Sequence, residues 1–225
     1  MTRRDLRRTG FQVISRLFES LSEHGYEKVV YRGHGNKSWE LIPSVYREGM
    51  AGIRHRNQLE KWITAAARFA QPPPQSDVEW LVLAQHYGVA TALLDWTVNP
   101  LIALFFATET APSRNGAVLM VNRSAFSDWV YLQTIDAFAK KRVKPGMIPA
   151  STMNARALAQ DSVMSLHTEN YHEEIPGSRI KTVFEVRKSE KPAVLEAMNT
   201  LGYTRDRVYS DINMLVERFL SDPRL

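Results

Sequence analysis

The stretch Leu101–Thr108 is apolar nearly all round a helical projection. Such a helix survives in water only when other elements enclose it. Asn99-Pro100 opens it: a capping side chain, then proline at a position where its missing N–H costs nothing. The rest of the chain must therefore supply a shell. Its 225 residues suffice, because a chain this size buries about 70% of its unfolded surface without disulfides or metal. A prior of roughly 150 residues per domain allows one large domain or two small ones. No repeat, low-complexity tract or clear linker divides the sequence. One compact domain, residues 1–225, is the expectation.

The periodicities supply the shell. Phe11, Ile14, Leu17, Phe18 and Leu21 share a helix face that stops at Gly25. Glu27–Tyr31 reads as a strand running into a turn at Arg32-Gly33-His34-Gly35. Asn57 caps a helix with an apolar face of Leu59, Trp62, Ile63, Ala66 and Phe69, ended by Pro72-Pro73-Pro74. Ser76-Asp77-Val78-Glu79 has the form of a capping box, and the helix it opens stops at Gly88. Val89–Trp96 reads as a buried strand. Asn115-Gly116 marks a turn before the strand Ala117–Asn122. Residues 124–142 are expected to be helical in part, Pro145–Pro149 a loop and Ser162–His167 a strand. Along Ile180–Arg187, Ile180, Thr182, Phe184 and Val186 share a face. Ser189 is expected to cap a helix ending at Gly202. Ser210 is expected to cap a last one with Ile212, Leu215, Val216 and Phe219. The sum is an α+β fold, a mixed or antiparallel sheet with flanking helices.

Composition excludes several chemistries. There is no cysteine, so disulfides, thiolate zinc and thiol nucleophiles are ruled out, and a reducing, cytoplasmic setting is expected. The net charge of +5 is spread over both halves, with basic clusters at Arg3/Arg4/Arg7/Arg8 and Lys140–Lys144. A nucleic-acid footprint is normally more concentrated, although a mildly cationic surface attracts phosphorylated ligands. The Arg-rich start reads as a solvated tail. No apolar run approaches the roughly 20 residues of a membrane span. Walker, dinucleotide GxGxxG and Gly-x-Ser-x-Gly patterns are missing, and the histidines have no metal-ligand spacing, so no metal is expected.

Two segments look over-specified for packing alone: Tyr31–Gly35 with Trp39–Ser44, and Gln85–Gly88 with Thr91–Thr97. Arg32 ends a strand before two glycines that would let a ligand approach the backbone. Its fork of donors suits phosphate or carboxylate; equally, Asp95 is its partner in a buried pair. His86, beside Tyr87 at a helix end, is a ligand contact, a base or a structural histidine. Asp95-Trp96-Thr97 precedes a helix N-terminus, where backbone N–H groups favour anions.

These segments resemble the FRG domain family, named for a Phe/Tyr-Arg-Gly tripeptide, here Tyr31-Arg32-Gly33. The remaining pattern is Trp39 with Leu41–Ser44 and Arg47, then Gln85–Gly88, Thr91, Leu94–Thr97, Asn99-Pro100 and Ala103–Ala107. Ala92 stands where the family more often has arginine. The resemblance spans about residues 28–218, taken as the domain core, and implies a bacterial or phage-associated protein, a toxin or defence effector. A second resemblance, in the order of parts, is to an ADP-ribosyltransferase-like fold. It implies NAD as cofactor, with Arg32 on the pyrophosphate or a ribose and His86 or Tyr87 against nicotinamide. Asp161 or Glu109 would then face the developing ribose charge. On this reading Arg32, His86, Asp95 and Asp161 are catalytic, and Arg32, Gly33, His34, Tyr87, Thr97 and Gln160 bind the nucleotide. Other partners expected are a protein or nucleic-acid target, the latter through Arg32 and Lys140–Lys144, and no membrane. The alternatives are a non-catalytic module that binds a nucleotide or nucleic acid, and a purely structural Arg32–His86–Asp95 network.

Overall fold

The computed structural model describes residues 2–24, 28–127, 134–149 and 155–221. The apolar helix is α4 (Pro100–Glu109), capped by the Asn99 side chain, which accepts from Leu101 N at 2.9 Å. It lies on one face of a six-stranded sheet ordered β4-β5-β2-β1-β3-β6, all neighbours antiparallel. The strands are β1 (Val29–His34), β2 (Leu93–Thr97), β3 (Gly116–Asn122), β4 (Gly146–Ile148), β5 (Ser162–Leu166) and β6 (Ile180–Val186). With α1 (Arg3–Ser22) and α7 (Lys191–Thr200), α4 encloses Tyr31, Val118, Met120 and Val183. The opposite face carries Val30, Leu94, Trp96, Val121 and Met147. At the β2–β5 end, α2 (Arg56–Ala66) and α3 (Asp77–His86) bury Leu59, Val78, Leu81 and Val82 against Leu93 and Leu166. The fold is α+β, as expected. Among the described residues no helix is long and apolar enough to cross a membrane.

Several local readings change. The basic start is helix: Thr2 and Asp5 form a capping box, and Arg3 and Arg7 both donate to Glu196 of α7. The expected turn at Arg32–Gly35 is strand as far as His34. The strand at Val89–Trp96 begins only at Leu93, with Ala90 in an isolated bridge to Gly52. The residue at the N-cap position of the second helix is His55 rather than Asn57, and at that of α7 it is Glu190 rather than Ser189. Pro145–Pro149 contains β4. Within 124–142, residues 123–125 form a 3₁₀ turn, residues 134–142 are non-helical, and residues 128–133 lie outside the described residues. In β6 a bulge leaves Val183 unpaired opposite Val118/Leu119, so Val183 and Val186 are buried and the expected alternation breaks. Ser210 is left-handed (φ 48°) after α8 (Arg205–Tyr209), not the cap of α9 (Ile212–Ser221).

Candidate functional site

The centre of the sheet is parted. β1 and β2 share a single register pair, Tyr31 with Thr97, whereas β1 follows β3 for six pairs. Strand alternation places Gly33 on the α4 face, with Tyr31, and Arg32 on the other, with Val30. A Cβ on Gly33 would stand 1.9 Å from Ala103 O and 2.7 Å from Ala107 N. This glycine therefore admits the close approach of α4, and it also lines the hollow described next. Arg32 reaches across the gap and donates from Nη1 to the Asp95 carbonyl oxygen, and from Nε to His34 at 3.3 Å. The guanidinium thus takes the place of the ladder hydrogen bonds that β1 and β2 do not make.

A hollow of about 200 Å³ opens at this parting, lined among others by Arg32, Trp39, Asp95, Thr97, Phe106 and Arg156. A smaller one of about 70 Å³, with Gln85 and His86, shares Asp95, Arg156, Gln160 and Ser162 with it. The Asp95 carboxylate is held from one side: Gln85 Nε2 donates to Oδ2 at 2.7 Å, and Thr91 Oγ1 donates to Gln85 Oε1, which fixes which way the amide faces. Burial pulls the Arg32 guanidinium below its ordinary value, the Asp95 charge opposes this, and Arg47 adds to it; arginine remains charged. Burial and then Arg156 lower the His86 pKa, so its imidazole is neutral at pH 7 and able to accept a proton.

The other expected residues divide. Thr97 and Gln160 line the hollow, but with committed groups: the threonine hydroxyl donates to Gln160 O at 2.7 Å, and the glutamine amide donates to Val208 O at 3.1 Å. His34 is buried behind Arg32, with Trp39 at its edge. Tyr87 is 69% exposed and lines neither hollow. Asp161 also stands outside both, exposed and bonded to Asn99 Nδ2 at 3.0 Å. Glu109 is engaged by Arg205 and Tyr209. Sequence reasoning missed Arg156, whose signal is a single arginine in the alanine-rich run Ala155-Arg156-Ala157-Leu158-Ala159. It also gave no role to Trp39 or Gln85, although both stand in the family pattern.

A second polar cluster has the order of a nucleophile, a base and an acid. Ser165 Oγ lies 2.7 Å from His167 Nε2, and His167 Nδ1 lies 2.9 Å from Glu174 Oε2. Ser165 has no exposure at all, and its oxygen also accepts from Trp96 Nε1 at 2.8 Å. No substrate reaches it; the chain of hydrogen bonds ties β5 to α6 (Tyr171–Glu174). Among the described residues no group of three His, Asp or Glu side chains is placed to hold a metal.

His34 is expected to make the fold acid-labile. Burial, then the Arg32 charge, push its pKa down to about 4 from 6.5. The unfolded chain therefore binds the extra proton first as pH falls. Stability is full above about pH 6.5 and is lost toward pH 4, by roughly 3 kcal/mol from this group. Urea unfolding at pH 7 and pH 4.5 checks this, and His34→Gln is expected to flatten the slope.

The architecture is an α+β sheet parted at its centre around an arginine. The family model of the FRG domain matches residues 27–116, somewhat less than half of the chain. The match covers β1, β2 and α2–α4 and ends at the first residue of β3, so Arg156, Gln160 and Ser162 reach the hollow from beyond it. No curated protein and no solved structure matches the chain.

Proposed function

We propose that the parting between β1 and β2 binds the phosphate-bearing half of a nucleotide-type small molecule, NAD above others. On this reading the protein is a bacterial or phage-associated toxin or defence effector that acts on that molecule. The carrying observation is that two guanidiniums, Arg32 and Arg156, line one hollow together with Asp95 and the aromatic side chains of Trp39 and Phe106. Arginine forks suit phosphate, and Trp39, about half exposed, offers a ring face to a base or nicotinamide. At about 200 Å³ the hollow is smaller than the roughly 300–1,000 Å³ of a pocket enclosing a whole drug-sized ligand. It suits one half of a dinucleotide, the other half crossing the rim. The chemistry open to such a site is cleavage of the glycosidic bond. Its electron pair leaves with nicotinamide, the ribose carbon becomes cationic and is stabilised by a carboxylate, and water or an acceptor nucleophile then adds to that carbon and gives up its proton to solvent. On this reading Asp95 takes the role expected of Asp161 or Glu109. The Lys140–Lys144 loop precedes edge strand β4, three places from β1, and Lys144 is engaged by Ser124 O; it adds nothing to the hollow.

Calorimetry with ADP-ribose and NAD tests the reading. Both are expected to bind. Arg156→Ala is expected to weaken both by roughly ten- to a hundredfold, the worth of a charged hydrogen bond, with an unchanged circular-dichroism melt. Asp95→Asn should keep binding and abolish nicotinamide release. Absence of ADP-ribose binding at millimolar concentration overturns it.

A further inference from the structure

We propose a second ligand site, for a small organic cation with an apolar body, in the hollow of about 310 Å³ bounded by the segment after β1, by α6 and by the start of β6. The segment after β1 divides the two hollows: Trp39 lines the Arg32 hollow, and Glu40 and Leu41 line this one. The site does not depend on the nucleotide reading.

Its volume is larger than that of the Arg32 hollow and reaches the range of small-molecule pockets. Leu41, Leu94, Ile175 and Ile180 give it apolar walls. His167 adds only a flat ring, because Ser165 and Glu174 occupy both of its nitrogens. Tyr171 is a preformed wall, stacked on Tyr46 with centroids 5.7 Å apart and planes 4° apart. Burial and then the Glu40 charge raise its phenol, so it stays neutral at physiological pH. Besides the imidazoles of His167 and His172, the second of which stands beside Tyr171 with centroids 4.1 Å apart, Glu40 is the one ionisable acid or base of fixed charge on the lining. Glu40 is exposed, makes no ion pair among the described residues, and no lysine or arginine lines the hollow. An apolar body enclosed beside an unpaired carboxylate selects an ammonium or amidinium over an acid of the same shape. The Arg32 hollow has the opposite preference.

The test uses three probes of one shape and three charges: phenethylamine, 2-phenylethanol and 3-phenylpropionate. Isoleucine δ1-methyl NMR of the full chain reads the location, since Ile175 and Ile180 line this hollow and Ile102 lines the other. Phenethylamine is expected to shift Ile175 and Ile180 and leave Ile102 in place. It is expected to bind at least tenfold more tightly than 3-phenylpropionate. Glu40→Gln, a surface change, should weaken the amine about two- to fivefold, as an exposed ion pair allows, and bring it level with 2-phenylethanol. Equal binding of the acid, an unaltered amine affinity in Glu40→Gln, or no shift at Ile175 and Ile180 overturns the proposal. Shifts of Ile102 with ADP-ribose report separately on the Arg32 hollow.

Discussion

Gly33→Ala is expected to lower the thermal midpoint by roughly 6–12 °C, the effect of about 3 kcal/mol in a chain of this size. The added carbon meets backbone, not side chain: Ala103 O at 1.9 Å and Ala107 N at 2.7 Å. No rotamer change relieves that contact, so α4 must move off β1. It has nowhere to go, because Ile102, Leu104 and Phe105 on its other sides are themselves at most 1% exposed. Overpacking a filled core typically costs 1–3 kcal/mol, more when backbone must shift. Gly177→Ala is the control. No atom lies within 4 Å of its would-be Cβ, so its melt should stay within a degree or two of the parent. A Gly33→Ala protein that melts like the parent would mean that α4 does not sit on β1 as described.

Lys191→Met is expected to cost on the order of 3 kcal/mol and to weaken ADP-ribose binding as well. Lys191 is 2% exposed and has no carboxylate partner; its ammonium donates to Gly35 O at 2.7 Å, Thr110 O at 2.8 Å and Ala111 O at 3.0 Å. Methionine fills the space and leaves those carbonyls facing apolar atoms. Ala111 O keeps a second donor, Arg114 N, while no other donor to Gly35 O or Thr110 O is seen among the described residues. Orphaned buried acceptors cost about 1–3 kcal/mol each, partly offset because a charge no longer has to be desolvated. Thr110 also lines the Arg32 hollow, which is why binding should fall with stability. Urea unfolding and calorimetry on the same variant measure both. If binding is untouched while stability falls, Lys191 serves the fold alone.

These residues show where sequence is a good guide. Ser76 with Glu79, and Asn99 with Pro100, signal their helices because capping is local chemistry, settled within one turn. Ser162–Leu166 forms the expected strand although Val163 is its one strong strand former. The packing role of Gly33 was not foreseen because its reason lies seventy residues away, in a helix that touches it only after folding. Lys191, next to proline in a polar stretch, gives no local sign that three distant carbonyls will enclose it. The break at Val183 depends on register with β3, which no single strand declares. At the site, Arg32, Asp95 and His86 were legible because they stand in glycine- and aromatic-rich motifs. Arg156 was not, because α5 (Ala155–Ala159) is a five-residue element whose place is set by β5 and α8.

The two central strands, β1 and β2, both lie in the first half of the chain, yet they barely pair with each other. Each takes its long partner from later sequence, β3 for one and β5 for the other. During synthesis both ribbons leave the ribosome before their mates exist, with open edges prone to wrong pairing. A fragment cut at the limits of the family match, 27–116, would keep that half-made condition for good. Expression work on this protein should therefore keep the later strands in the same polypeptide.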